Sequence, residues 1–227
     1  MHGEYDRSLS PRLFSALLHL AAVILVAWLL VGGGLESINA WWGKDWPLAL
    51  AARRWLLFGC AVVYFLRVVV TTFYLLKRKM GWGEGALIGV WVAAIHIFFA
   101  YLGGTDPHAL GTVDLAAMLL YVFGSFLNTG SELQRKWWKE RAENKGLLYT
   151  GGLFHYSRHI NYFGDELLFT GYALITGSAW ALLVPLLMLA GFVFFNIPEP
   201  DKHLRTHYGA EFEEYARRTR KFVPFVY

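Results

Sequence analysis

Charge and cysteine are what this chain of 227 residues has least of. Charged residues make up 17% of it, against roughly 25% in an average soluble domain, while 56% is hydrophobic and 17% aromatic. The apolar residues gather in long runs instead of alternating, which points to an integral membrane protein with one compact bundle. The single cysteine, Cys60, lies inside an apolar run. One thiol excludes an internal disulfide, and those surroundings make it a buried, inert residue rather than a reactive one. Motifs are missing as well. No Gly-x-Gly-x-x-Gly follows a strand, no glycine-rich loop is built to cradle phosphate, and no serine sits in a Gly-x-Ser-x-Gly turn. A soluble nucleotide-binding fold and a hydrolase elbow are thereby excluded. There is no internal repeat and no low-complexity tract. The first apolar run ends in Val31-Gly32-Gly33-Gly34 without a small-residue cleavage pattern, so it is expected to be a retained span. The net charge of +4 does not indicate nucleic acid. The basic residues lie beside the apolar runs, where they set orientation and attract anionic headgroups.

Six apolar segments are expected to be helical spans: 12–32, 55–76, 85–102, 110–128, 163–177 and 180–197. A hydrocarbon core of ~30 Å needs about 20 residues of helix. The last two form a close pair joined at Thr176-Gly177-Ser178. Asp165 and Glu166 open the first of them, so this pair is only partly lipid-facing. Residues 1–11 are polar, with Ser10-Pro11 as a helix start. Trp41, Trp42 and Trp46 in the connector 33–54 read as interfacial anchors. The tail 201–227 is an amphipathic helix that closes in the apolar stretch from Phe222 to Tyr227. With both termini on one side, that side holds 17 of the 21 lysines and arginines; three lie opposite (Lys44, Arg53, Arg54) and Arg67 falls within a span. The positive-inside rule then makes both termini cytoplasmic. The chain reads as a single all-α, polytopic membrane domain, 1–227. Its N-terminal substrate-side spans are expected over 12–109 and a C-terminal cofactor-binding half over 110–227.

The densest polar stretch, LLYTGGLFHYSRHINYFGDE at 147–166, lies between two apolar regions. Polar groups at a membrane boundary are costly unless they are used, so this is the candidate site. Helical spacing continues past the fourth span, where Asn128, Glu132 and Lys136 recur every four residues, with Arg135 and Lys139 on the adjoining face. A solvated face is the ordinary reading. The functional one is a polar wall against 147–166 with cations for a phosphate. His155/His159 and His203/His207 are each spaced for two imidazoles on one helical face, but the Arg158 cation beside the first pair would repel a metal, and none is expected. What survives is an anion-binding mouth: Arg135, Lys136, Lys139, Arg158, His203, Arg205 and His207 for phosphates or a carboxylate. Tyr149, Tyr156, Tyr162 and Tyr208 offer flat surfaces for an aromatic base. In the apolar half Tyr64 and Arg67 share a helical face, and a mid-span arginine must face the bundle or a wet cavity. A lone His19 in the first span reads as an interhelical hydrogen bonder, and His96 falls in the third. Together these features describe a polar cofactor from the cytosol meeting a lipid-soluble substrate from the bilayer.

These residues also carry a resemblance. Gly151-Gly152-Leu153-Phe154, Tyr156, Asn161, Phe163-Gly164-Asp165 and Gly171-Tyr172-Ala173-Leu174 resemble the steroid 5α-reductases. Arg158-His159, Asn161-Tyr162, Gly164-Asp165, the His203/Arg205 pair and Tyr208-Gly209 are similar to the sterol C14-reductases, and the closing Pro224-Phe225-Val226-Tyr227 fits both. The resemblance covers roughly the C-terminal half. It implies NADPH held among the C-terminal helices, with Asn128, Glu132, Tyr149, Tyr156, Asn161 and Asp165 as cofactor residues. Arg158 and His159 match the sterol reductases alone, and the mouth cations Lys136, His203 and Arg205 would join the set. Tyr64-Phe65-Leu66-Arg67 is similar to the Tyr-Phe-x-Arg of the steroid reductases, whose tyrosine polarises the substrate ketone. That family pairs it with the acid of a Gln-x3-Glu motif, absent here; Glu36, the only glutamate between Glu4 and Glu84, is the stand-in. The implied reaction is hydride transfer to a conjugated C=C, with Tyr64, Glu36 and Arg67 as catalytic residues. Expected partners are a lipophilic substrate arriving from the bilayer and membrane lipids, with no nucleic acid and no obligate protein. A rival resemblance, to isoprenylcysteine carboxyl methyltransferases, rests on Arg158, His159, Tyr162 and Gly164. Those enzymes use S-adenosylmethionine. Ile160 stands where they have proline, and Glu199 and Asp201 only half reproduce their acidic tail motif. A sterol-binding protein without activity is the third reading.

Overall fold

The computed structural model describes residues 8–227. Residues 1–7, with Glu4 and Arg7 of the polar lead, lie outside the described residues. Among the described residues the structure is helical and contains no strand, only an isolated bridge between Ser157 and Arg220. The helices are α1 (Leu9–Val31), α2 (Gly34–Trp42), α3 (Ala51–Val70, continued by a π turn Thr71–Leu75), α4 (Trp82–Gly104), α5 (Thr112–Lys139), α6 (Ile160–Ile175), α7 (Leu183–Gly191, continued by a π turn Phe192–Asn196), α8 (Pro198–Tyr208) and α9 (Ala210–Arg218).

Five helical segments are long and apolar enough to cross a bilayer: Leu9–Val31, Ala51–Leu75, Trp82–Gly104, Thr112–Lys139 and Ala179–Tyr208. This is a multi-pass membrane protein. Leu17, Ile24, Leu87, Leu119 and Leu186 are largely exposed on these segments; such a surface would be a fault in water and is ordinary in lipid. The remaining expected segment is helical but short. At 16 residues, α6 rises ~24 Å at 1.5 Å per residue, less than the hydrocarbon thickness, and it carries Asp165 and Glu166 in its second turn.

The chain groups into two compact units, residues 8–117 with 172–182, and residues 118–171 with 183–227. A split at 109/110 does not capture this, because 172–182 belongs with the earlier residues. In the first unit α1 packs along α3 and α4. Small residues permit the approach: a methyl group on Gly85 would stand 2.9 Å from the Pro11 carbonyl oxygen, and one on Gly89 2.7 Å from Leu18. Two arginines are architectural there. Arg12 donates to the carbonyls of Thr72, Leu76 (3.0 Å) and Arg78 (2.7 Å), satisfying acceptors that the end of a helix leaves open. Arg53, 3% exposed, donates to Asp114 at 2.8 Å and to the Ile175 carbonyl at 2.5 Å, with Asp106 at 3.4 Å. It ties the opening of α3 to the 106–114 loop and to the end of α6. From sequence these two were only orientation charges.

Candidate functional site

The second unit is built on a crossing of α5 and α6 at two glycines. A Cβ on Gly164 would sit 2.5 Å from the Asn128 backbone nitrogen and 2.7 Å from the Gly124 carbonyl oxygen. A Cβ on Gly124 would overlap the backbone of Gly164 and Leu168. Backbone meets backbone here, so neither position tolerates a side chain.

That closeness lets short polar side chains on the two helices reach one another. Asn128 Nδ2 donates to Asp165 Oδ2 at 2.9 Å and to the Asn161 carbonyl at 3.0 Å. Asn161 Nδ2 donates to Glu132 Oε1 at 2.9 Å, and Glu132 is also held by Arg135. Asn128 and Glu132 are four apart on α5, Asn161 and Asp165 four apart on α6, so the four make a ladder across the crossing. Because the Asn161 amide nitrogen is spent on Glu132, its oxygen must accept. Yet Asn161 Oδ1 is buried with no hydrogen-bond partner, and so is Glu166 Oε2 on the next turn. Buried acceptors left open are uncommon in native structures and mark a place for a donor.

A second cluster surrounds Asp201 at the start of α8. Arg158 Nη2 reaches Asp201 Oδ2 at 3.1 Å and His159 Nε2 reaches Oδ1 at 2.9 Å. Facing a carboxylate, His159 Nε2 carries the proton. Arg158 also donates to the carbonyls of Ala216 (2.9 Å) and Thr219 (3.2 Å) and lies over the Phe212 ring. His159 stacks on Tyr162, which stacks on Phe192 at 5.0 Å. Tyr215 closes the cluster by donating to the Phe154 carbonyl at 2.7 Å, and burial pushes its hydroxyl up, so it stays a donor.

Residues 86–219 match the model of the family described as "Protein of unknown function (DUF1295)", more than half of the chain. The chain belongs to this DUF1295 family. DUF1295 falls within the steroid 5-alpha reductase family. The chain is also similar to the Delta(14)-sterol reductase erg24 of Schizosaccharomyces pombe, 25% identical over 154 residues. That alignment covers 61% of this chain and 36% of the yeast protein, so the chain spans about a third of that relative's length.

The DUF1295 match contains the ladder and the Asp201 cluster and excludes α1 to α3, where Tyr64, Arg67 and Glu36 lie. The remaining expected site residues fall in several places. Arg158 and His159 are committed to Asp201, and the Arg158 side chain is only 9% exposed. Its guanidinium bonds Asp201 and the carbonyls of Ala216 and Thr219. Lys136 is buried and bonded to Glu140. Arg205 pairs with Glu213 at 2.5 Å on the surface, and His203 stacks on His207. Tyr149 packs on Trp138 at 5.2 Å and edge-on to Phe154; burial raises its hydroxyl. Gly152, at φ +56° against the Tyr149 hydroxyl, is the turn that only glycine fits. Tyr156 is not in the ladder; it borders an apolar groove with Phe225. Among the described residues no group of three His, Cys, Asp or Glu side chains is placed to hold a metal ion.

In the first unit the Tyr64 ring lies under the Arg67 guanidinium at 5.4 Å and edge-on to His96 at 5.4 Å. His96 faces the Tyr172 hydroxyl at 3.4 Å, and that hydroxyl donates to the Leu57 carbonyl at 3.1 Å. Glu36 is elsewhere. Its carboxylate accepts from Arg54 at 2.6 Å, and Arg54 is ten residues, ~15 Å of helix, from Tyr64. The stand-in role expected for Glu36 is therefore not supported by its placement. Sequence reasoning passed over Gly124, Gln134 (which accepts from the Leu153 amide at 2.9 Å) and the clasping role of Asp201. The available signal was spacing: Gly124 lies four residues before Asn128, and Gly164 three after Asn161.

Proposed function

We propose that this protein is a membrane-embedded reductase that binds NADPH in its second unit and reduces a conjugated C=C of a steroid-like or other lipophilic enone arriving from the bilayer. The observation that carries the proposal is the Asn128–Glu132–Asn161–Asp165 ladder with the open acceptor of Asn161, inside the segment matched to a reductase family. The donor set fits the cofactor: a carboxamide or ribose hydroxyl supplies the hydrogen that Asn161 Oδ1 lacks. Arg135, Lys139 and Arg205 would meet the phosphates, since exposed ion pairs such as Arg205–Glu213 are weak and exchange partners easily. When bound, NADPH supplies the hydride.

The chain's own residues supply the rest. The Tyr64 hydroxyl would donate to the substrate oxygen and stabilise the charge that develops there in a water-poor setting. Arg67, over the Tyr64 ring, would hold that tyrosine in place. Arg158 and His159 would fix α8 and α9 around the site through Asp201 rather than touch the cofactor. We further propose that both termini face the cytoplasm, a reading supported by the distribution of lysine and arginine, and that no protein partner is needed.

The test is a thermal shift of the purified protein with NADPH against S-adenosylmethionine. Stabilisation grows with ligand over its dissociation constant. NADPH should raise the melting temperature, and Asn161→Ala should abolish that rise without lowering the unliganded value much. A rise with the methyl donor alone would replace the reductase reading by a methyltransferase one. Tyr64→Phe should lower turnover of an enone probe such as progesterone while the NADPH shift persists.

A further inference from the structure

Outside the ladder, the second unit carries a groove of about 430 Å³ whose walls are apolar. Phe126, Leu153, Ile160, Phe163 and Phe225 line it, with Tyr156 at the border. Its volume lies in the roughly 300–1,000 Å³ range of small-molecule sites, but it lacks the few polar groups that would orient a polar ligand. It is continuous with the lipid-facing surface. Phe123 and Phe126, 52% and 55% exposed, lie on the membrane-crossing α5 and form one side.

The opposite side is the closing stretch of the chain, and it is built at a cost. Phe225 has φ +65°, the left-handed region that a bulky side chain rarely adopts. Phe225 is 77% exposed, and its ring meets the edge of Tyr156 at 5.9 Å. Strain kept for an exposed aromatic wall is explained if something apolar rests against that wall. A cation is anchored beside that wall. Ser157, next to Tyr156, bridges to Arg220, and the Arg158 amide donates to the Arg220 carbonyl at 2.9 Å. Arg220 is thereby fixed three residues before Val223 of the groove wall. Arg217 and Arg220 are exposed and have no ion pair among the described residues, whereas Glu213 and Glu214 of α9 are engaged by Arg205 and Arg218.

We infer that this groove is a docking site for one anionic phospholipid of the surrounding leaflet. An acyl chain occupies the apolar walls and the phosphate is met by Arg217 and Arg220. The site is independent of the cofactor reading; it rests only on the groove, the cations and the membrane.

Native mass spectrometry of the purified protein, titrated with palmitoyl-oleoyl phosphatidylglycerol or phosphatidylcholine in mixed micelles, tests it. One phosphatidylglycerol per chain should be retained with a several-fold preference over phosphatidylcholine. The double change Arg217→Glu with Arg220→Glu should erase that preference. Phe225→Gly relieves the backbone and removes the wall, so it should lose the bound lipid several-fold while the lipid-free melting temperature stays level or rises. Equal retention of the two lipids, or adducts unaffected by both changes, would overturn the inference. Equal stabilisation by inorganic phosphate alone would overturn it too, since it would mark a free-anion site.

Discussion

The two units solve the same problem, polar groups in an apolar setting, in different ways. In the first, long cationic side chains are spent on backbone: Arg12 on the carbonyls beyond α3, Arg53 on Ile175 and two aspartates. In the second, short neutral and acidic side chains bond one another across a glycine crossing, and an acceptor is left open. The atom left open differs in kind: in the arginine networks it is a donor nitrogen, the Nε of Arg12, Arg53 and Arg158, whereas the α5–α6 crossing leaves an oxygen, Asn161 Oδ1, that only a donor can fill. Density of polar residues in the sequence does not separate the two; the identity of the open atom does.

The largest effects should come from breaking a charged clasp in either unit. Asp201→Ala strands Arg158 and His159, and removing one partner of a buried pair typically costs about 3–5 kcal/mol; thermal melting in detergent should show a large loss. Arg53→Ala should cost a similar amount by stranding Asp114 and Asp106. Should either prove mild, the contrast between charged clasp and open acceptor fails. Next comes the crossing itself. Gly164→Ala forces a methyl group into backbone, at about 1–3 kcal/mol for overpacking, and should also abolish the NADPH shift. Gly59→Ala on α3, where nothing lies within 4 Å of the added carbon, should be neutral or stabilising by up to ~1 kcal/mol. Melting curves of the two variants compare them directly.

Glu36 sharpens the comparison at the small end. Burial works to raise its carboxyl, but the hydrogen bond and charge of Arg54 prevail and hold it below the ordinary 4.5. A depressed folded value means that the stabilisation is present above pH 4.5 and is lost as pH falls through the folded value. The pair is exposed, so the amount is under ~1 kcal/mol. Glu36→Gln should remove that slope from melting temperature against pH and leave turnover unchanged. A large loss of turnover would restore Glu36 to the catalytic set.

Much of the fold was legible because bilayer chemistry is one-dimensional. A helix that must satisfy its backbone within itself announces its length and apolar character in consecutive residues, and five long apolar helices appear where hydropathy placed them. The i, i+4 repeat of Asn128 and Glu132 was legible for the same reason, as was the polar concentration at 147–166. The exception among the spans is instructive. The 163–177 segment is apolar enough to be read as a span, yet α6 begins at Ile160, ends at Ile175 and carries two acids.

The sequence by itself determined that this chain lives in a membrane and that its polar residues concentrate near α5 and α6. Only the tertiary structure decided which of those residues are open and which are spent. Asp201 takes Arg158 and His159, Tyr156 turns to a lipid-side groove, and Glu36 goes to Arg54. The reason is physical. Helical spacing assigns a residue to a face, but whether its charge is available depends on partners far along the chain: Arg158 meets Asp201, 43 residues away, at 3.1 Å, and Asn161 reaches Glu132, 29 residues away, at 2.9 Å across a crossing that two glycines permit.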